Sequence, residues 1–336
     1  MICIIGDPHF GAMKSDEGFL KNQINYFDNE LVPYLKTNKI TKLNFLGDLF
    51  EDRNKISVRV KNEVFHLFER LKDFDIKILL GNHDIFYNTT RDVHSLKFLK
   101  KFSNVEVIDS IKTIDSGLYI PWLVDNDELV NYIKENEIPQ YAYGHLDIYG
   151  FKMTQFETSQ SGLPENIFSK FKYVFSGHFH IRSIKNNIIY TGAPYHLNRN
   201  DIGIEKGVCL LDESKGTYEF LNSTSTIRFE KIKYPEIPVE SIVKDNIIDL
   251  EIEYNKDYDE AKVYKYIKDL EKLAPRGNIN VKMINNFLNP EDAEQLKNVQ
   301  FISNKQLIDE YIKNIDITDK ETVHSKINEL YERCTK

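Results

Sequence analysis

The sequence predicts an α/β protein, a four-layer α/β/β/α sandwich in which two sheets lie between covering helices. Two observations predict this class. In residues 1–80, short apolar runs alternate with segments of helical periodicity, and from about residue 107 onward strand-like runs dominate. Polar motifs also follow several apolar runs directly, and strand ends are where open α/β sheets bind their ligands.

The first predicted elements form a series of strands separated by helices, the order typical of parallel strands with covering helices. The helices are predicted where apolar side chains recur near a period of 3.6 residues. In order, the elements are a strand at about 2–5, a helix at about 17–36, a strand at about 43–46, a helix at about 58–71 and a strand at about 76–80.

The following part of the chain is predicted to be mostly strands, because short apolar and β-branched runs succeed one another with few helical segments between them. Together with the first series, these strands supply two sheets for the sandwich. They are predicted at about 117–124, 140–144, 173–175, 184–190, 207–211 and 217–220.

Pro235 and Pro238 predict a domain boundary, because two prolines within four residues are typical of a linker. An alternating run at 248–254, a helix at about 258–273 and another alternating run at 279–283 then predict a small β-α-β unit. We therefore divide the chain into a large domain at 1–234, a small domain at 235–288, a linker at 289–304 and a C-terminal helical segment at 305–336.

Composition excludes several classes of protein. The chain has 336 residues, more than one average domain, and 41% of them are hydrophobic, enough for a packed core. Its three cysteines are widely separated, so we expect no disulfide framework, no zinc cluster and a reducing compartment. Since no signal peptide and no long apolar run is present, we expect a soluble, cytoplasmic protein without a membrane segment. The net charge of −8 argues against strong nucleic-acid binding by this chain alone.

Five short motifs carry residues with metal-binding chemistry, each directly after a strand-like run. They are Gly-Asp-Pro-His at 6–9, Gly-Asp at 47–48, Gly-Asn-His-Asp at 81–84, Gly-His at 144–145 and Gly-His-Phe-His at 177–180. Glycine lets the backbone turn sharply, so that the next side chain projects from the sheet edge. The candidate ligands are Asp7, His9, Asp48, Asn82, His145, His178 and His180.

Seven ligands are too many for one metal ion, but they suit two ions if one carboxylate bridges them. Asp, Asn and His side chains bind manganese, iron, zinc or magnesium. A single Gly-Asp or Gly-His is most often a turn, but the ordered set of five motifs indicates a two-metal site. The remaining histidines are interpreted as structural: His66 and His324 on helices, His94 in a helical run, and His196 either near the site or in a turn.

With these motifs in this order and spacing, the chain resembles the calcineurin-like metallophosphoesterases. More narrowly, it is similar to the SbcD-type double-strand-break repair nucleases, especially the recombination nuclease subunits of tailed bacteriophages. The narrower resemblance rests on four short segments: the motif at 47–50, Ile120-Pro121-Trp122, the motif at 176–180 and the run at 190–194. It covers nearly the whole chain and implies a metallophosphoesterase sandwich, a capping domain at 235–288 and C-terminal helices. A phage protein of this kind would act in the host cytoplasm.

The resemblance also implies roles for the candidate ligands, with Asp48 as the bridge between two divalent ions. It favours manganese, with magnesium as the alternative. The first ion would be held by Asp7, His9, Asp48 and His180, and the second by Asp48, Asn82, His145 and His178.

His83 resembles the family's catalytic histidine beside the leaving group and would not be a ligand. Its partner would be Asp84, unless Asp84 only shapes the turn. One position departs from the family pattern: cellular members carry a histidine three residues after the bridging aspartate, where this chain has Glu51. That histidine is linked to exonuclease action, so the balance between exonuclease and endonuclease activity stays open.

The implied function is a two-metal DNA nuclease, an exonuclease, an endonuclease or both, working with an SbcC-type coiled-coil ATPase in recombination and double-strand-break processing. A homodimer through helices near the catalytic domain is also implied. Two alternatives remain: a phosphatase or cyclic-nucleotide phosphodiesterase for small substrates, and a non-catalytic scaffold on the same fold. Basic residues beside the motifs are candidate DNA contacts or else a solvated surface: Arg53, Lys55, Arg59 and Arg182.

The C-terminal segment is interpreted as two short amphipathic helices that dock on the ATPase, the second opening with a capping box at 318–321. The alternative is that they pack on the chain's own core. The candidate docking residues are Leu307, Tyr311, Ile315, Val323, Ile327 and Leu330.

Overall fold

A computed structural model describes residues 1–254, 258–274, 278–285 and 323–327 of the chain. The strands are β1 (Ile2–Ile5), β2 (Lys42–Phe45), β3 (Asp75–Leu79), β4 (Val105–Ile108), β5 (Lys112–Ile114), β6 (Gly117–Ile120), β7 (Tyr141–His145), β8 (Tyr173–Gly177), β9 (Ser183–Lys185), β10 (Ile188–Tyr190), β11 (Gly207–Asp212), β12 (Thr217–Asn222), β13 (Phe229–Lys233), β14 (Ile247–Tyr254) and β15 (Asn278–Asn285).

The helices are α1 (Ala12–Ser15), α2 (Glu17–Tyr26), α3 (Val32–Thr37), α4 (Val58–Arg70), α5 (Asp127–Glu135), α6 (Glu240–Val243) and α7 (Glu260–Leu273). A π-helical turn, Phe27–Leu31, joins α2 to α3, so the helix predicted at 17–36 is continuous with one local irregularity. Short 3₁₀ turns lie at Ser95–Lys101, Glu165–Phe168 and Arg199–Asp201.

The first sheet has the strand order β12-β11-β1-β2-β3-β4. β1, β2, β3 and β4 are parallel, with Ile2 opposite Lys42 and Ile76 opposite Val105, and β11 pairs antiparallel with β1. All residues of β1 are buried, because the strand is covered on both faces. The parallel series predicted from the sequence is therefore confirmed.

The second sheet has the order β5-β6-β7-β8-β10-β9, with parallel strands in the middle and an antiparallel strand at each edge. β6 ends at Ile120 and not at the predicted Val124, because Pro121 has no N–H to continue the ladder. The strand predicted at 184–190 is two strands, since Asn186 with φ 54° lies where the chain reverses between β9 and β10.

Side chains from both sheets form the centre of the sandwich, among them Ile4 from the first sheet and Phe175 from the second. Asn44 Nδ2 donates a hydrogen bond of 3.1 Å to Tyr119 Oη across this layer. Apolar residues of α2, α3 and α4 pack on the outer side of the first sheet, and Leu129 of α5 belongs to the core of the second. The predicted four layers are confirmed.

Two local details bear on the site. α4 begins at Val58 because Ser57 Oγ accepts a hydrogen bond of 3.2 Å from Val60 N, a helix N-cap. His94 is not helical as predicted: it is extended and bridges Ile85, and the 3₁₀ turn begins only after it. The loop between Ile85 and His94 leaves the motif at 81–84 and returns to it, where Ser95 N donates a hydrogen bond of 2.8 Å to Asp84 O.

A third sheet has the order β13-β14-β15. The strand predicted at 248–254 and the helix predicted at 258–273 correspond to β14 and α7, and β13 adds an unpredicted parallel strand beside β14. On α7, Val263 and Leu270 are buried, whereas Tyr264 is exposed.

One compact unit consists of Met1–Ile252 and Glu260–Lys282. The domain boundaries from the sequence stay predictions. No helix among the described residues is long and apolar enough to cross a bilayer. Val323 and Ile327 lie in a helical stretch at 323–327. The linker at 289–304 and the docking residues Leu307, Tyr311, Ile315 and Leu330 lie outside the described residues.

Candidate active site

The polar motifs meet at the carboxyl ends of strands from both sheets, as the sequence predicts. Because the two sheets face each other, their strand ends come together in two clusters of ligand atoms that share Asp48. Asp7 and His9 follow β1, Asp48 follows β2, Asn82 follows β3, His145 ends β7, and His178 and His180 follow β8.

The second cluster converges closely. Asn82 Oδ1 lies 3.0 Å from both His145 Nε2 and His178 Nδ1. His145 Nε2 lies 3.3 Å from Asp48 Oδ2, and ligand atoms of these two residues and His178 lie within 4.8 Å of one another. A carboxylate oxygen, an amide oxygen and two imidazole nitrogens around one point suit a divalent metal ion.

The first cluster contains Asp7, His9 and Asp48, with ligand atoms again within 4.8 Å of one another. His9 Nε2 lies 3.6 Å from Asp48 Oδ2. Asp7 Oδ2 and His9 Nε2 are buried and have no hydrogen-bond partner among the described residues. Such buried polar atoms are costly, and a cation between them would satisfy both. The residues therefore fit a metal ion at this cluster too.

His180, the remaining predicted ligand, has its ring centroid 4.6 Å from that of His9. Its backbone carbonyl accepts hydrogen bonds from Lys206 Nζ at 2.6 Å and from Ala193 N at 3.1 Å. These contacts hold the segment after β8 against the first cluster, so all seven candidate ligands lie at the two clusters or in ring contact with them.

On two candidate ligands, a neighbouring oxygen lies close to the ring nitrogen that faces away from the cluster, an arrangement that favours one tautomer of a metal-binding histidine. His145 Nδ1 donates a hydrogen bond of 2.7 Å to Leu46 O, so Nε2 faces the second cluster. Glu51 Oε2 lies 2.9 Å from His9 Nδ1, so the other nitrogen of His9 faces Asp48. The sequence identified Glu51 only as a departure from the family pattern and did not reveal this contact.

The structure decides the partner of His83. His83 Nδ1 donates a hydrogen bond of 2.5 Å to Glu51 O, so Nε2 is the ring nitrogen not engaged in this contact. The backbone N–H of His83 donates to Asp48 Oδ1 at 2.8 Å, so the same residue also anchors the shared carboxylate. The predicted pairing of His83 with Asp84 is not observed among these contacts.

Asp84 instead shapes the turn, the second interpretation offered from the sequence. Its carboxylate is buried and accepts hydrogen bonds from Gly81 N at 2.9 Å and Leu49 N at 3.2 Å. Burial and the charge of Asp48 raise the pKa of Asp84 to about 7. Asp84 therefore ties the turn after β2 to the turn after β3, and these turns carry Asp48 and Asn82.

The backbone is strained where the candidate ligands lie. Asp7, His9, Asp48 and His178 all have positive φ, with values of 26°, 45°, 47° and 88°. Left-handed conformations of residues other than glycine cost on the order of 1–3 kcal/mol each and persist where the surroundings impose them, often at functional sites. The strained backbone therefore indicates that the surrounding structure fixes the positions of these side chains, as is common at functional sites.

Two glycines allow the turns to approach each other. A Cβ atom on Gly81 would lie 2.1 Å from Asp48 Oδ1, and one on Gly47, which has φ +103°, would lie 2.6 Å from His145 Nδ1. A side chain at either position would displace a candidate ligand. The glycines of the motifs therefore permit close contact, in addition to the sharp turn predicted from the sequence.

Burial and neighbouring charges shift the pKa values of the ligands in different directions. Burial lowers the pKa of His178 to about 4, which keeps the ring neutral and able to bind a metal. Burial also lowers the pKa of His145, but the charge of Asp48 outweighs it and the pKa rises to about 9. A metal ion at the second cluster therefore competes with a proton on His145.

Two buried polar residues support the site and were missed in the sequence. Gln23 Nε2 donates to Pro8 O at 3.1 Å and to His9 O at 3.0 Å, which holds the first turn from α2. Lys206, only 4% exposed, pairs with Asp201 at 2.5 Å while it donates to the carbonyl of His180. Neither Gln23 nor Lys206 lies in one of the five motifs. For Gln23, the position on the apolar face of its helix was the one sequence feature that indicated burial.

His196 is structural. Its Nδ1 accepts a hydrogen bond of 3.1 Å from Phe229 N at the start of β13, and its Nε2 donates to Ile204 O at 3.0 Å. Burial lowers its pKa to about 4, so the ring is neutral and both nitrogens are engaged. Of the two roles left open by the sequence, the turn role fits this geometry.

The predicted DNA contacts fall in different surroundings. Arg53 and Lys55 line a cavity of about 710 Å³ that also contains Glu51 and His83. Arg59 is ion-paired with Glu17 and lines a different cavity. Arg182 places its guanidinium 3.8 Å from the ring centroid of Phe220 and donates to Asn222 Oδ1 at 3.0 Å. A role in DNA binding stays a prediction for all four.

Comparisons with known proteins show the family of the chain. A family model described as calcineurin-like phosphoesterase matches residues 1–182, more than half of the chain. The chain is similar to exonuclease subunit 1 of Enterobacteria phage T4, with 29% identity over 346 residues that cover 98% of each chain. It is also similar to the DNA double-strand break repair protein Mre11 of Nanoarchaeum equitans, with 22% identity over 245 residues, 63% of this chain and 66% of that protein. The chain is therefore a phosphoester-hydrolysing enzyme that belongs to the calcineurin-like phosphoesterase family.

Proposed function

We propose that this enzyme is a two-metal DNA nuclease that hydrolyses phosphodiester bonds during recombination and double-strand-break processing. The observation that carries the proposal is the pair of ligand clusters sharing Asp48 Oδ2, with His83 adjacent. The names of the two relatives, an exonuclease subunit and a double-strand break repair protein, support DNA as the substrate.

The donor set favours manganese over magnesium. Imidazole nitrogens contribute to both clusters, and magnesium prefers oxygen ligands in near-ideal octahedral geometry. When bound, two divalent ions lower the pKa of a water molecule toward neutrality and offset the negative charge that develops on the phosphate. The ligands assigned to the first ion are Asp7, His9, Asp48 and His180, and those assigned to the second are Asp48, Asn82, His145 and His178.

His83 acts as the general acid in this proposal. Because Nδ1 is engaged with Glu51 O, Nε2 is the nitrogen available to donate a proton to the departing sugar oxygen. The Glu51 carbonyl keeps the ring oriented, and the Glu51 carboxylate contacts His9, a ligand of the first ion. Glu51 therefore contacts both His83, the proposed acid, and His9, a proposed metal ligand. Cellular relatives are expected to have a histidine at the position of Glu51.

The substrate backbone lies along the cavity that contains His83. Lys14, Arg53 and Lys55 supply positive charge there, and Ser15 and Ser57 supply hydroxyl groups for phosphate oxygens. Glu51 and Asp52 also line this cavity, so its positive excess is small and, with the net charge of −8, we expect a modest affinity for DNA. A partner that shares the DNA contact is therefore part of the proposal.

The proposal is tested by incubating the protein with linear duplex DNA, a single-stranded oligonucleotide, and mono- and diesters of p-nitrophenyl phosphate. We expect manganese-dependent cleavage of DNA and of the diester, with the monoester hydrolysed poorly. Mononucleotide products would indicate an exonuclease, and nicking of circular DNA an endonuclease. Hydrolysis of the monoester with DNA intact would instead support a small-substrate phosphatase. Two bound ions with no hydrolysis of any substrate would support a scaffold.

The proposed partners are an SbcC-type coiled-coil ATPase and a second copy of this chain. The ATPase would bind the C-terminal segment, and the dimer would form through the region of α4, where Val58 is 79% exposed. We place the complex in the cytoplasm, the host's if the chain is viral. The buried free thiols of Cys3 and Cys209 are compatible with a reducing compartment.

Deleting residues 306–336 should abolish co-purification with the ATPase and leave manganese-dependent cleavage of a short oligonucleotide within about twofold of the full chain. Short helices are marginally stable alone, so the predicted pair needs a partner surface. Pull-down and single-turnover cleavage measure the two effects. Val323→Asp with Ile327→Asp is a smaller change on the same stripe and should weaken binding alone. A truncated chain that binds the ATPase normally, or that unfolds, would assign the helices to another role.

A further inference from the structure

Trp122, the only tryptophan in the chain, lies beside the second ligand cluster without being one of its ligands. Its ring centroid is 4.8 Å from that of His178 and 5.9 Å from that of His145. The side chain is only partly buried, so it is not enclosed in the core. An aromatic ring therefore borders the second cluster at the protein surface.

The segment that carries Trp122 is held firmly in position. Trp122 N donates to Leu80 O at 2.8 Å, which joins it to the end of β3 just before Asn82. Arg91 Nη1 donates to Trp122 O at 3.3 Å, and Arg91 Nη2 binds both carboxylate oxygens of Glu128 at 2.7 and 2.8 Å. The ring is thus placed by contacts from β3, α5 and the loop after the catalytic motif.

Trp122 lines a cavity of about 360 Å³ that reaches His145. This volume falls within the range of roughly 300–1,000 Å³ typical of small-molecule pockets. Leu123 and Leu163 supply further apolar surface, and Asp147 supplies a carboxylate. The combination of an aromatic face, aliphatic walls and a few polar groups is typical of a site for a flat organic ring.

The charge of this cavity disfavours phosphate as its occupant. It contains Asp125 and Asp147 and no lysine or arginine among the described residues that line it. Asp147 is held in place because Ser159 Oγ and Ser161 Oγ donate to its carboxylate at 2.8 and 3.0 Å. By contrast, the cavity that borders His83 contains three cations, Lys14, Arg53 and Lys55, beside the carboxylates of Glu51 and Asp52. The two cavities therefore suit different parts of a nucleotide.

We propose that the Trp122 cavity is a nucleobase subsite, which takes the base of a nucleotide adjoining the scissile phosphate. This inference rests on the proposed nuclease function and specifies how the site recognises a nucleotide. The base would stack on Trp122, and its N–H groups would donate to the carboxylate of Asp147. The subsite selects nucleotides over simple phosphate esters, because a phosphate without a base leaves the cavity empty.

The single tryptophan makes the subsite directly measurable, since all tryptophan emission comes from Trp122. With magnesium bound, deoxyadenosine monophosphate should quench or shift this emission in a saturable way. Deoxyribose 5-phosphate and inorganic phosphate, which lack a base, should leave it nearly unchanged at the same concentrations. Equal responses to all three probes would overturn the proposal, because they would show that the signal comes from phosphate at the metal ions.

A second measurement uses the reaction. Trp122→Leu should raise KM for a short oligonucleotide by about tenfold with kcat changed less, and Trp122→Phe should restore most of the loss. Calorimetry of metal binding separates stacking from mere support of His178: a Trp122→Leu variant that binds two ions normally has lost only the stacking surface. An unchanged KM in that variant would contradict the subsite.

The nucleobase subsite and the nuclease function can be contradicted independently of each other. If the wild-type protein cleaves DNA but deoxyadenosine monophosphate gives no specific fluorescence response, only the base subsite is wrong. If the nucleotide binds at Trp122 but no DNA is cleaved under any metal condition, the nuclease proposal is wrong.

Discussion

Asp48→Ala should abolish binding of both metal ions and reduce DNA cleavage by at least about 10³-fold. The shared carboxylate is the reason: its Oδ2 lies 3.3 Å from His145 Nε2 in one cluster and 3.6 Å from His9 Nε2 in the other. Removing it takes a ligand from each ion and also removes the acceptor that holds the backbone N–H of His83. A single substitution thereby disrupts both clusters and the adjacent acid.

Isothermal titration with manganese measures this effect, with two ions per chain expected for the wild type and none for the variant. Asp73→Ala, which removes an exposed carboxylate outside the clusters, is the matched control and should bind two ions. Circular dichroism checks that both variants fold. If the Asp48 variant still bound two ions, another residue would have to bridge them and the ligand assignment would be wrong.

His83→Ala should retain both metal ions and lose roughly two to four orders of magnitude in the rate of DNA cleavage. Its Nδ1 is engaged with Glu51 O, and its side chain belongs to neither ligand cluster among the described residues. The loss should be much smaller for a p-nitrophenyl diester, because that leaving group departs without a proton. This difference between substrates identifies general acid catalysis.

Single-turnover rates on the two substrates, with manganese binding measured in parallel, provide the check. His66→Ala is the control, since His66 lies on α4 with an exposed side chain paired to Glu69. Loss of a metal ion in the His83 variant would move this residue into the ligand set. Equal losses on the oligonucleotide and the p-nitrophenyl diester would show that His83 positions the substrate or Asp48 and does not supply the proton.

Much of the fold could be predicted from sequence, because its signals are local. The strands and helices of the sandwich follow from apolar periodicity over a few residues, and the candidate ligands follow from short motifs at strand ends. Carboxyl ends of parallel strands share one edge of a sheet, so motifs after β1, β2 and β3 had to meet there. The second sheet brings His145 and His178 to the same place, as the order of motifs indicated.

The errors fell where a local signal was weak or ambiguous. The apolar run at 184–190 contains a reversal at Asn186 that periodicity alone does not reveal. His94 was placed in a helix because its neighbours have helical spacing, but its bridge to Ile85 pairs it across a loop. β13 was missed because a short strand is indistinguishable from a loop until its partner β14 is known.

The fold class, the seven candidate ligands and the candidate acid could be predicted from the sequence, since each prediction depends on residue type and order along the chain. The groups that support these residues are visible only in the folded chain. Glu51 contacts both His9 and His83, Asp84 holds two turns together, and Lys206 binds the carbonyl of His180. Most of these contacts join residues far apart in sequence. Those of Glu51 and Asp84 form because β1, β2 and β3 lie side by side in the first sheet, and that of Lys206 forms because the segments before β11 and after β8, which belong to different sheets, pack against each other.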